Sequence, residues 1–406
     1  MEKKRIKNIL VINDFGSING GASKVAFSEM FALKQKGYNV IYLCGVGPVS
    51  PSIEQNGIEV FCLNQKDILF GSKIVSFCRG LWNTRARRVI YGILSKYDSR
   101  DTIIHIHGWS KCLSPSILNV GDKLGFKTFI TLHDFFLYCP NGGLLNYKKS
   151  CICSLNPMSY KCLLCNCDSR SVFHKYWRCF RQFIQDYVIG KCSNLRFISI
   201  SKLSDELFLK YRPYWYQKIC RIDNPIEFKS PIIESNNTNN IGSKYLFIGR
   251  LSEEKGIRLF LNAILQTGVG AEVWGDGYLM DELKAKYPNV CFRGWVNDSR
   301  KKNYINDIKA LVFPSIWYET FGLVVAEMLS LGIPCIVGDK TAASELIQDG
   351  KNGYLYKLGD LSSLKEAILK MEKNRVLLNP ETCFEKSKYS VQNHIEKLVA
   401  FYTDSI

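Results

Sequence analysis

The sequence predicts an α/β protein with two domains, each built on a parallel, doubly wound β-sheet. Its 406 residues exceed one ordinary domain, and its hydrophobic fraction of 46% is enough for two buried cores. Short apolar runs alternate with amphipathic stretches along the chain, for example at residues 6–11, 39–44, 245–248 and 310–313. Strands that alternate with helices in this way form parallel sheets with helices on their faces.

The boundary between the domains is expected near Asn224. Pro225 interrupts the regular pattern there, because proline restricts the residue before it, and a polar, asparagine-rich stretch follows at residues 235–240. We therefore predict a first domain at residues 1–224 and a second at residues 225–390. The first carries a cysteine-rich insert at about residues 139–179, and residues 391–406 form a final amphipathic helix.

The net charge of +17 belongs entirely to the first half of the chain. Residues 1–225 contain 32 Lys and Arg against 15 Asp and Glu, whereas residues 226–406 contain 22 of each kind. A basic domain attracts anionic partners such as lipid headgroups, phosphate-bearing acceptors or nucleic acid. The alternative interpretation is that the uneven charge reflects only a drift in composition along the chain. The basic amphipathic segment at residues 73–100 is either a solvated helix face or a contact with a membrane surface or an anionic acceptor.

The sequence predicts a cytoplasmic protein. No apolar run reaches the 18 residues needed to span a membrane, and the apolar stretch near the start is too short for a signal peptide. The inner face of the membrane is a candidate place of attachment, given the basic first half. In a large chain without a signal peptide, the 16 cysteines are expected to be reduced core thiols, with or without a metal site.

Residues 319–327 carry the strongest functional signal. An apolar run and a Pro-Ser breaker precede them, so a buried strand should end and a helix should begin near residues 321–323, where its N–H groups can bind an anion. Glu319 and Glu327 would lie about 12 Å apart on a continuous helix. This exceeds the spacing of a glycosidase carboxylate pair, about 5–9.5 Å, and suits one long ligand with a phosphate in its middle.

Arg250 and Lys255 form a second candidate site. They follow the apolar run at residues 245–248 and precede a helical pattern. A pyrophosphate leaving group needs positive charge, which a metal ion or Arg and Lys can supply. No Asp-x-Asp metal clamp occurs in the sequence. The pair therefore favours a diphosphate site that works without a metal ion. The alternative interpretation is an ordinary exposed basic loop.

In the first half, a glycine loop and two histidines are candidates. Gly20 and Gly21 lie between a predicted strand and a predicted helix, which is either a phosphate-approach geometry or a plain turn. His107 and His133 each follow an apolar run. Ligands of open parallel sheets bind beyond the carboxyl ends of the strands, so these positions favour a role at a site, His133 more than His107.

Seven cysteines lie within 41 residues of the insert. Zinc sites use four thiolates at short spacings, and the spacing from Cys162 to Cys165 fits. The set exceeds what one site needs, so the ligands stay ambiguous, and an iron–sulfur cluster is a further alternative. A loop held by packing, with spare thiols, is equally consistent. The seven are Cys139, Cys151, Cys153, Cys162, Cys165, Cys167 and Cys179.

The pattern of Glu319, Phe321-Gly322 and Glu327, together with Gly249-Arg250 and Lys255-Gly256, resembles the signature of the family 4 retaining glycosyltransferases. The resemblance implies the GT-B fold, two Rossmann-like domains facing across a cleft, with the last helix crossing back to the first domain. It covers nearly all of the chain, although the cysteine insert matches only a subset of bacterial polysaccharide and lipopolysaccharide enzymes. In that subset the matching metal positions are Cys139, Cys151, Cys162 and Cys167.

The resemblance also implies roles for individual residues. Arg250 and Lys255 would stabilise the leaving diphosphate, Glu319 would hold the sugar, His133 would orient it, and Glu327 would bind the ribose. The implied catalytic residues are His133, Arg250, Lys255 and Glu319. The implied donor-binding residues are Gly20, Gly21, Val296, Phe321, Gly322, Leu323, Val324 and Glu327.

The function implied is retaining transfer of a sugar from a nucleotide-diphosphate sugar to a hydroxyl of a glycan or lipid-linked glycan in bacterial surface polysaccharide synthesis. No cofactor is expected for catalysis, and a structural zinc ion is one interpretation of the cysteines. A sugar-nucleotide epimerase on the same fold is the nearest alternative. A nucleic-acid-binding protein would explain the basic half, but it would not need the Glu319, Glu327, Arg250 and Lys255 pattern, so no nucleic acid is expected.

Overall fold

The computed structural model describes residues 6–68, 70, 73–228, 242–374 and 384–405. The predicted asparagine-rich loop at residues 235–240 lies outside the described residues. The strands are β1 Asn8–Phe15, β2 Asn39–Val46, β3 Glu59–Cys62, β4 Thr102–Ile106, β5 Lys127–Thr131, β6 Leu145–Asn146, β7 Cys151–Ile152, β8 Leu195–Ser199, β9 Ile219–Arg221, β10 Lys244–Ile248, β11 Gly270–Trp274, β12 Cys291–Gly294, β13 Ile308–Phe313, β14 Cys335–Gly338 and β15 Gly353–Tyr356.

The helices mostly follow the strands in alternation, as a parallel sheet requires. They are α1 Gly21–Gln35, α2 Pro51–Gln55, α3 Lys73–Leu81, α4 Thr84–Leu94, α5 Val120–Lys123, α6 Tyr160–Leu164, α7 Val172–Gly190, α8 Lys202–Tyr211, α9 Ile257–Thr267, α10 Met280–Lys286, α11 Asp298–Tyr304, α12 Leu323–Ser330, α13 Leu361–Lys373 and α14 Val391–Asp404. Polar side chains cap several helix starts. Ser171 accepts a hydrogen bond from the His174 amide at α7, and Asp360 does the same for Ser363 at α13.

The described residues divide into two compact units. Unit 1 comprises residues 1–142, 155–227 and 389–406, and unit 2 comprises residues 143–154 and 228–388. The predicted domain boundaries were 224 and 390. The insert differs from the prediction, because residues 143–154, which contain the β6–β7 hairpin, group with unit 2 and not with the first domain.

Each unit contains one parallel sheet in the part of the chain that the structure describes. The order in unit 1 is β3-β2-β1-β4-β5-β8-β9, and in unit 2 it is β12-β11-β10-β13-β14-β15. In both sheets the order reverses beside the first strand of the unit, between β1 and β4 and between β10 and β13. Such switch points are where open parallel sheets bind ligands, beyond the carboxyl ends of the strands.

Separate apolar cores support the two sheets. In unit 1, α1 packs on β1 and β2, and α14 contributes Ile395, Leu398 and Tyr402 to the same core. In unit 2, α9 and α13 pack against each other and bury Phe260 and Ile368 over the sheet. The central strands are apolar on both faces because helices cover both.

Candidate functional site

The candidate site in unit 2 lies at the carboxyl ends of β10 and β13. Residues 249–256 follow β10, and residues 314–322 follow β13. The two strands are neighbours at the point where the strand order reverses. Two segments that are far apart in the sequence therefore meet at one edge of the sheet.

Glu319 is the centre of this site. Its Oε1 accepts hydrogen bonds from the Ser315 hydroxyl at 2.6 Å and from the Trp317 indole at 2.7 Å, and it pairs with Lys255 Nζ at 2.7 Å. Lys255 also lies 5.2 Å from the centre of the Trp317 ring. Because three donors converge on one oxygen, the positions of the carboxylate and the ammonium group are fixed together.

The predicted spacing of about 12 Å between Glu319 and Glu327 was given for a continuous helix, and Glu319 does not lie on α12. Glu319 has a φ of 49°, in the left-handed region, and α12 begins only at Leu323 after Gly322. Glu319 therefore lies in the loop ahead of the helix. The start of the helix itself agrees with the predicted position.

A close backbone approach holds the two loops together. Gly256 has a φ of 69°, and a β-carbon there would lie 1.9 Å from the Pro314 carbonyl oxygen. The Ile316 amide donates to the Glu254 carbonyl at 3.0 Å. Only glycine satisfies both the conformation and the lack of space at position 256.

Arg250 and the start of α12 complete the positive side of the site. The Arg250 side chain is exposed, and its guanidinium forms no hydrogen bond or ion pair with the residues that the structure describes. The first N–H groups of an α-helix have no partner within the helix, and those of α12 follow Phe321 and Gly322, with Leu323 and Val324 in the first turn. Gly322 cannot be larger, since a β-carbon there would lie 2.5 Å from Cβ of Ala343. Guanidinium, ammonium and helix start together can bind a diphosphate.

Glu327 lies one helical turn into α12. Lys301 Nζ is 3.1 Å from its Oε2. Lys301 was not among the predicted site residues, and nothing in the local pattern around it indicates a role, because the contact joins α11 to α12. Val296 follows β12, half-buried beside the exposed Trp295.

In unit 1, His133 is part of a buried cluster. His107 Nδ1 and His133 Nε2 are 3.0 Å apart, and the two rings stack with centroids 5.3 Å apart. Glu29 Oε2 lies 3.3 Å from His107 Nε2 and 3.3 Å from His105 Nδ1. Burial lowers the pKa of His133 to about 3, so this histidine is neutral at physiological pH.

The C-terminal helix completes this cluster. His394 Nε2 lies 2.9 Å from Glu29 Oε1, and the Tyr402 hydroxyl lies 2.7 Å from His105 Nδ1. Four of the five histidines of the chain are thereby gathered around one glutamate. His107 and His133 were among the predicted candidates but Glu29 was not, because a glutamate within an amphipathic helix carries no signal of burial.

The predicted glycine loop and the residue after His133 follow strands of the same sheet. Gly20 and Gly21 are exposed at the start of α1, directly after the β1 loop. Asp134 supports its own loop, as its Oδ1 accepts a hydrogen bond from the Phe136 amide at 2.9 Å. Burial raises the pKa of Asp134 to about 6.

The predicted cysteine metal site is not assembled. Among the described residues, Glu29, His105 and His107 are the one group of three or more His, Cys, Asp or Glu whose ligand atoms all lie within 4.8 Å of one another. The buried ammonium group of Lys175 lies 3.4 Å from Cys162 Sγ and 3.3 Å from Cys167 Sγ. It occupies the position between the two sulfur atoms that a shared metal ion would take.

The remaining two predicted ligands are separated from this pair in different ways. Cys139 hydrogen-bonds to the Asn141 side chain, whose amide contacts Cys167 Sγ at 3.4 Å. Cys151 is exposed on β7, in the hairpin that groups with unit 2. The predicted set of Cys139, Cys151, Cys162 and Cys167 therefore does not form one ligand group.

Comparison with known proteins finds a family similarity in unit 2. Residues 242–374 match the family model described as glycosyl transferases group 1. This match contains Arg250, Lys255, Glu319 and Glu327.

One curated relative is an Escherichia coli protein named UDP-Gal:alpha-D-GlcNAc-diphosphoundecaprenol alpha-1,3-galactosyltransferase. It is 25% identical over 243 residues, which cover 53% of this chain and 62% of the relative. Matches to two further relatives, from Klebsiella pneumoniae and Mycobacterium leprae, cover 35% and 39% of those proteins. The chain thus aligns with less than two thirds of the length of each of these relatives.

Solved structures extend the similarity to the whole fold. The apo form of the lipopolysaccharide outer core galactosyltransferase WaaB matches with a TM-score of 0.65 at 14% identity, covering 98% of this chain and all of the other. Anabaena HepE in complex with UDP-glucose matches with a TM-score of 0.65 at 17% identity, covering 98% and 99%. The chain has the GT-B fold, as the sequence predicted.

Proposed function

We propose that this protein is a retaining glycosyltransferase that transfers a sugar from a nucleotide-diphosphate sugar to a hydroxyl of a glycan or lipid-linked glycan. The observation that carries the proposal is the cluster of Lys255, Ser315, Trp317 and Glu319 at the switch point of unit 2. It lies within the residues that match the group 1 glycosyl transferases. Its cationic groups and helix start suit a diphosphate, and its fixed carboxylate suits the hydroxyls of a sugar.

Each charged residue has a distinct role in this proposal. Arg250 and Lys255 stabilise the negative charge that develops on the leaving diphosphate, which a preorganised cation does without reorganisation. Glu319 accepts hydrogen bonds from sugar hydroxyls, and the first amides of α12 bind phosphate oxygens. Glu327 binds the ribose hydroxyls in place of its present contact with Lys301. His133 orients the sugar.

The transfer step needs no covalent enzyme intermediate. The bond from the anomeric carbon to the diphosphate oxygen breaks, and a bond from that carbon to the acceptor oxygen forms on the same face. The acceptor proton passes to the leaving phosphate oxygen. Arg250 and Lys255 supply the positive charge, so we expect turnover without added divalent metal.

Relatives support a role in bacterial surface polysaccharide synthesis. The E. coli relative is named for a diphosphoundecaprenol-linked acceptor, and other relatives are named as a lipopolysaccharide galactosyltransferase and a capsular polysaccharide glycosyltransferase. An acceptor that is a glycan on a lipid carrier is the proposal they support for this chain.

Thermal unfolding with a panel of nucleotide diphosphates and their sugars tests the donor site. A ligand at a hundredfold excess over its Kd stabilises the native state by about 2.7 kcal/mol. We expect one nucleobase series to raise the Tm of the wild type and of Lys370→Ala, an exposed control on α13. The rise should disappear in Lys255→Ala.

Turnover with the selected donor separates the alternatives. Release of the nucleoside diphosphate together with a new glycoside on a lipid-linked acceptor supports the proposal. Isomerisation of the donor without release of the diphosphate would identify an epimerase instead. Absence of stabilisation by every donor would count against both enzymes.

The membrane part of the proposal rests on an aromatic stripe along α7. Phe173, Tyr176, Phe180, Phe183 and Tyr187 follow the three- and four-residue spacing of one helix face, and their exposed fractions lie between 52% and 89%. Aromatic residues of this kind lie at membrane–water interfaces. On a water-soluble surface, such a continuous apolar row marks an interaction site.

The charge around this stripe matches an anionic bilayer. Residues 155–200 contain seven Lys and Arg but only two acidic residues. Both acids are paired, Asp168 with Arg178 at 3.2 Å and Asp186 with Arg212 at 2.7 Å. No helix in the described residues is long and apolar enough to cross a membrane. The proposed contact is therefore peripheral, through aromatic side chains and basic charge.

The predicted basic surface at residues 73–100 is only partly available for such a contact. Arg87 is held by the Ser116 carbonyl and the Asn119 side chain, both at 2.7 Å, whereas Arg85 and Arg88 are exposed. Ile74 and Val75 of α3 are exposed, and Phe77 of α3 contacts Trp177 of α7. Helix α3 thus extends the apolar surface of α7.

Vesicle sedimentation tests the membrane contact. We expect the wild type to bind vesicles that contain phosphatidylglycerol more strongly than vesicles of phosphatidylcholine alone. Phe180→Ser with Phe183→Ser should weaken binding about tenfold or more, since each change removes buried apolar area worth about 1.5–3 kcal/mol. Leu265→Ser on unit 2, where the leucine is 70% exposed, is the matched control.

Two results would contradict the membrane contact. One is equal vesicle binding by the double variant and the control. The other is a concentration-dependent dimer of the wild type that the double variant abolishes, which would assign the stripe to a second copy of this chain.

A further inference from the structure

A second cluster of potential ligands lies at the switch point of unit 1. Glu29 projects from α1, His105 lies in β4, and His107 directly follows β4. All three side chains are almost completely buried. Their spacing on the strand, two residues apart, directs both histidines to the same face.

Two of the atoms that face each other in this cluster have no hydrogen-bond partner among the described residues. They are Glu29 Oε2 and His107 Nε2, which are 3.3 Å apart but lack the geometry of a hydrogen bond. A buried carboxylate oxygen without a partner is costly, and such an atom calls for an ion or a water. Both atoms point at the space that the three side chains share.

The distances match those between ligands of one metal ion. Bonds of roughly 2.0–2.1 Å at a tetrahedral angle place two ligand atoms about 3.3 Å apart. Glu29 Oε2 lies 3.3 Å from His105 Nδ1 and 3.3 Å from His107 Nε2. All three ligand atoms lie within 4.8 Å of one another.

The polar atoms of the three side chains that do not face the shared space have hydrogen-bond partners, as the corresponding atoms of metal ligands usually do. His107 Nδ1 is 3.0 Å from His133, and His105 Nε2 is 2.7 Å from the Thr131 hydroxyl. Glu29 Oε1 is 2.9 Å from His394. Each ligand is therefore oriented from behind, with its inner atom directed at the shared space.

We propose that Glu29, His105 and His107 bind one divalent transition-metal ion, with Zn²⁺ as the best match. Two imidazoles and one carboxylate form a ligand set typical of zinc, and imidazole favours zinc over magnesium or calcium. The ion joins α1 to β4 and, through His107, fixes the ring of His133. It is a structural ion of unit 1 and is separate from the proposed diphosphate site of unit 2.

Tyr402 gives the site a built-in competitor. Its hydroxyl lies 2.7 Å from His105 Nδ1, the atom that would bind the ion. Binding of the ion breaks this hydrogen bond and leaves the hydroxyl beside the fourth position. Tyr402→Phe removes the competitor, so this variant should bind zinc at least as tightly as the wild type.

Metal content measured on untagged protein tests the proposal. After equilibration with Zn²⁺ and removal of the excess, we expect one zinc ion per chain that is lost in Glu29→Gln and in His107→Gln. The same ion should remain in His174→Gln, which changes the one histidine outside the cluster. It should also remain in the double variant Cys162→Ser with Cys167→Ser, in which these two thiols can no longer bind zinc.

Cobalt binding to the wild type guards against variants that fail to fold. Co²⁺ in the site should give visible absorption without the thiolate charge-transfer bands that a cysteine site adds, and the cysteine double variant should keep this spectrum. Equal zinc in the wild type and Glu29→Gln, or no ion in the wild type beyond what the thiols hold, overturns the proposal. No sugar donor is involved, so this outcome is independent of the proposed transfer reaction.

Discussion

The two units place different chemistry at the same position of the same sheet topology. Around their switch points, the strand orders β3-β2-β1-β4-β5 and β12-β11-β10-β13-β14 are equivalent. In unit 2 the carboxyl ends of the central strands lead to Arg250, Lys255 and Glu319, and Arg250 is exposed. In unit 1 the equivalent edge leads to Glu29, His105 and His107, which are buried.

The difference comes from what covers the edge of each sheet. In unit 1, α14 contributes His394 and Tyr402, which contact Glu29 and His105 directly. In unit 2, the loops after β10 and β13 contact each other and keep Lys255 partly exposed. Topology thus sets where polar side chains gather. The covering helix or loop decides whether they face a ligand or become part of the interior.

The largest expected effect comes from removing the cation of the exposed edge. Lys255→Ala should lower the transfer rate about 100- to 1,000-fold, as the loss of one preorganised charge-stabilising group does. Steady-state kinetics with the donor found by thermal unfolding measures this. Lys370→Ala should retain wild-type rates, and full activity in Lys255→Ala would remove the basis of the proposed diphosphate site.

A pair of glycine substitutions tests the contact between the two loops of unit 2. Gly256→Ala should lower the free energy of unfolding by about 3 kcal/mol, because it combines a left-handed backbone with a clash against Pro314. Gly268→Ala has a similar φ of 72° but open space around its β-carbon, and should cost only about 1–2 kcal/mol. Urea unfolding of both variants gives the difference. Equal losses would mean that the loops separate freely.

Acid should affect a buried histidine of unit 1 and a buried carboxylate of unit 2 over different pH ranges. Burial lowers the pKa of His133 to about 3. Between about pH 6.5 and 3, the unfolded chain therefore binds a proton at this histidine that the folded chain does not. The free energy of unfolding consequently decreases as the pH is lowered through this range. Burial raises the pKa of Glu272, but hydrogen bonds from Arg293, Lys244 and Trp274 overcome this and lower it to about 2. Its contribution is lost only as the pH falls from 4.5 to 2.

Denaturant unfolding at pH 7.0, 5.5 and 4.5 checks this comparison. In the wild type, the free energy of unfolding decreases as the pH is lowered, and His133→Gln should make this decrease smaller by up to about 1.4 kcal/mol per pH unit between pH 7.0 and 4.5. Glu272→Gln should leave the pH dependence of the free energy of unfolding unchanged in this range. Asp134, with its raised pKa of about 6, acts in the opposite direction. The difference between variants is therefore the informative quantity. Parallel curves for His133→Gln and the wild type would show that this histidine is protonated in the folded state.

The smallest effect is expected for Trp317→Phe. This change keeps an aromatic ring near Lys255 but removes the indole hydrogen bond to Glu319. Hydrogen bonds to charged groups contribute about 1.5–3 kcal/mol, so the rate should fall about tenfold. A decrease as large as that of Lys255→Ala would mean that Trp317 itself touches the substrate.

The sequence predicted the fold and the exposed edge because both depend on local patterns. Apolar runs followed by breakers located the ends of β10 and β13, and ligand sites of parallel sheets lie beyond such ends. These patterns gave Lys255 and Glu319 as candidates in two separate segments, and the family resemblance placed both at the donor before the structure showed their contact. The helix start near Leu323 also followed from the local pattern.

The buried edge could not be predicted in the same way. Glu29 and His394 are 365 residues apart, and each lies in an ordinary amphipathic helix pattern. The conformation of Glu319 was missed because a left-handed residue in a loop leaves no periodic signal. The surroundings of the cysteines could not be predicted, because spacing in the sequence does not show that Lys175 packs among the thiols.

The chain order of unit 1 has a consequence for synthesis on the ribosome. Ile395, Leu398 and Tyr402 belong to the core of unit 1, yet they are translated after all of residues 228–388. At about 5–20 residues per second, the nascent chain waits roughly 8–30 seconds for this last helix. The unit that begins first is thus completed last, and a chain that stops short of residue 389 would carry a finished unit 2 beside an open apolar surface.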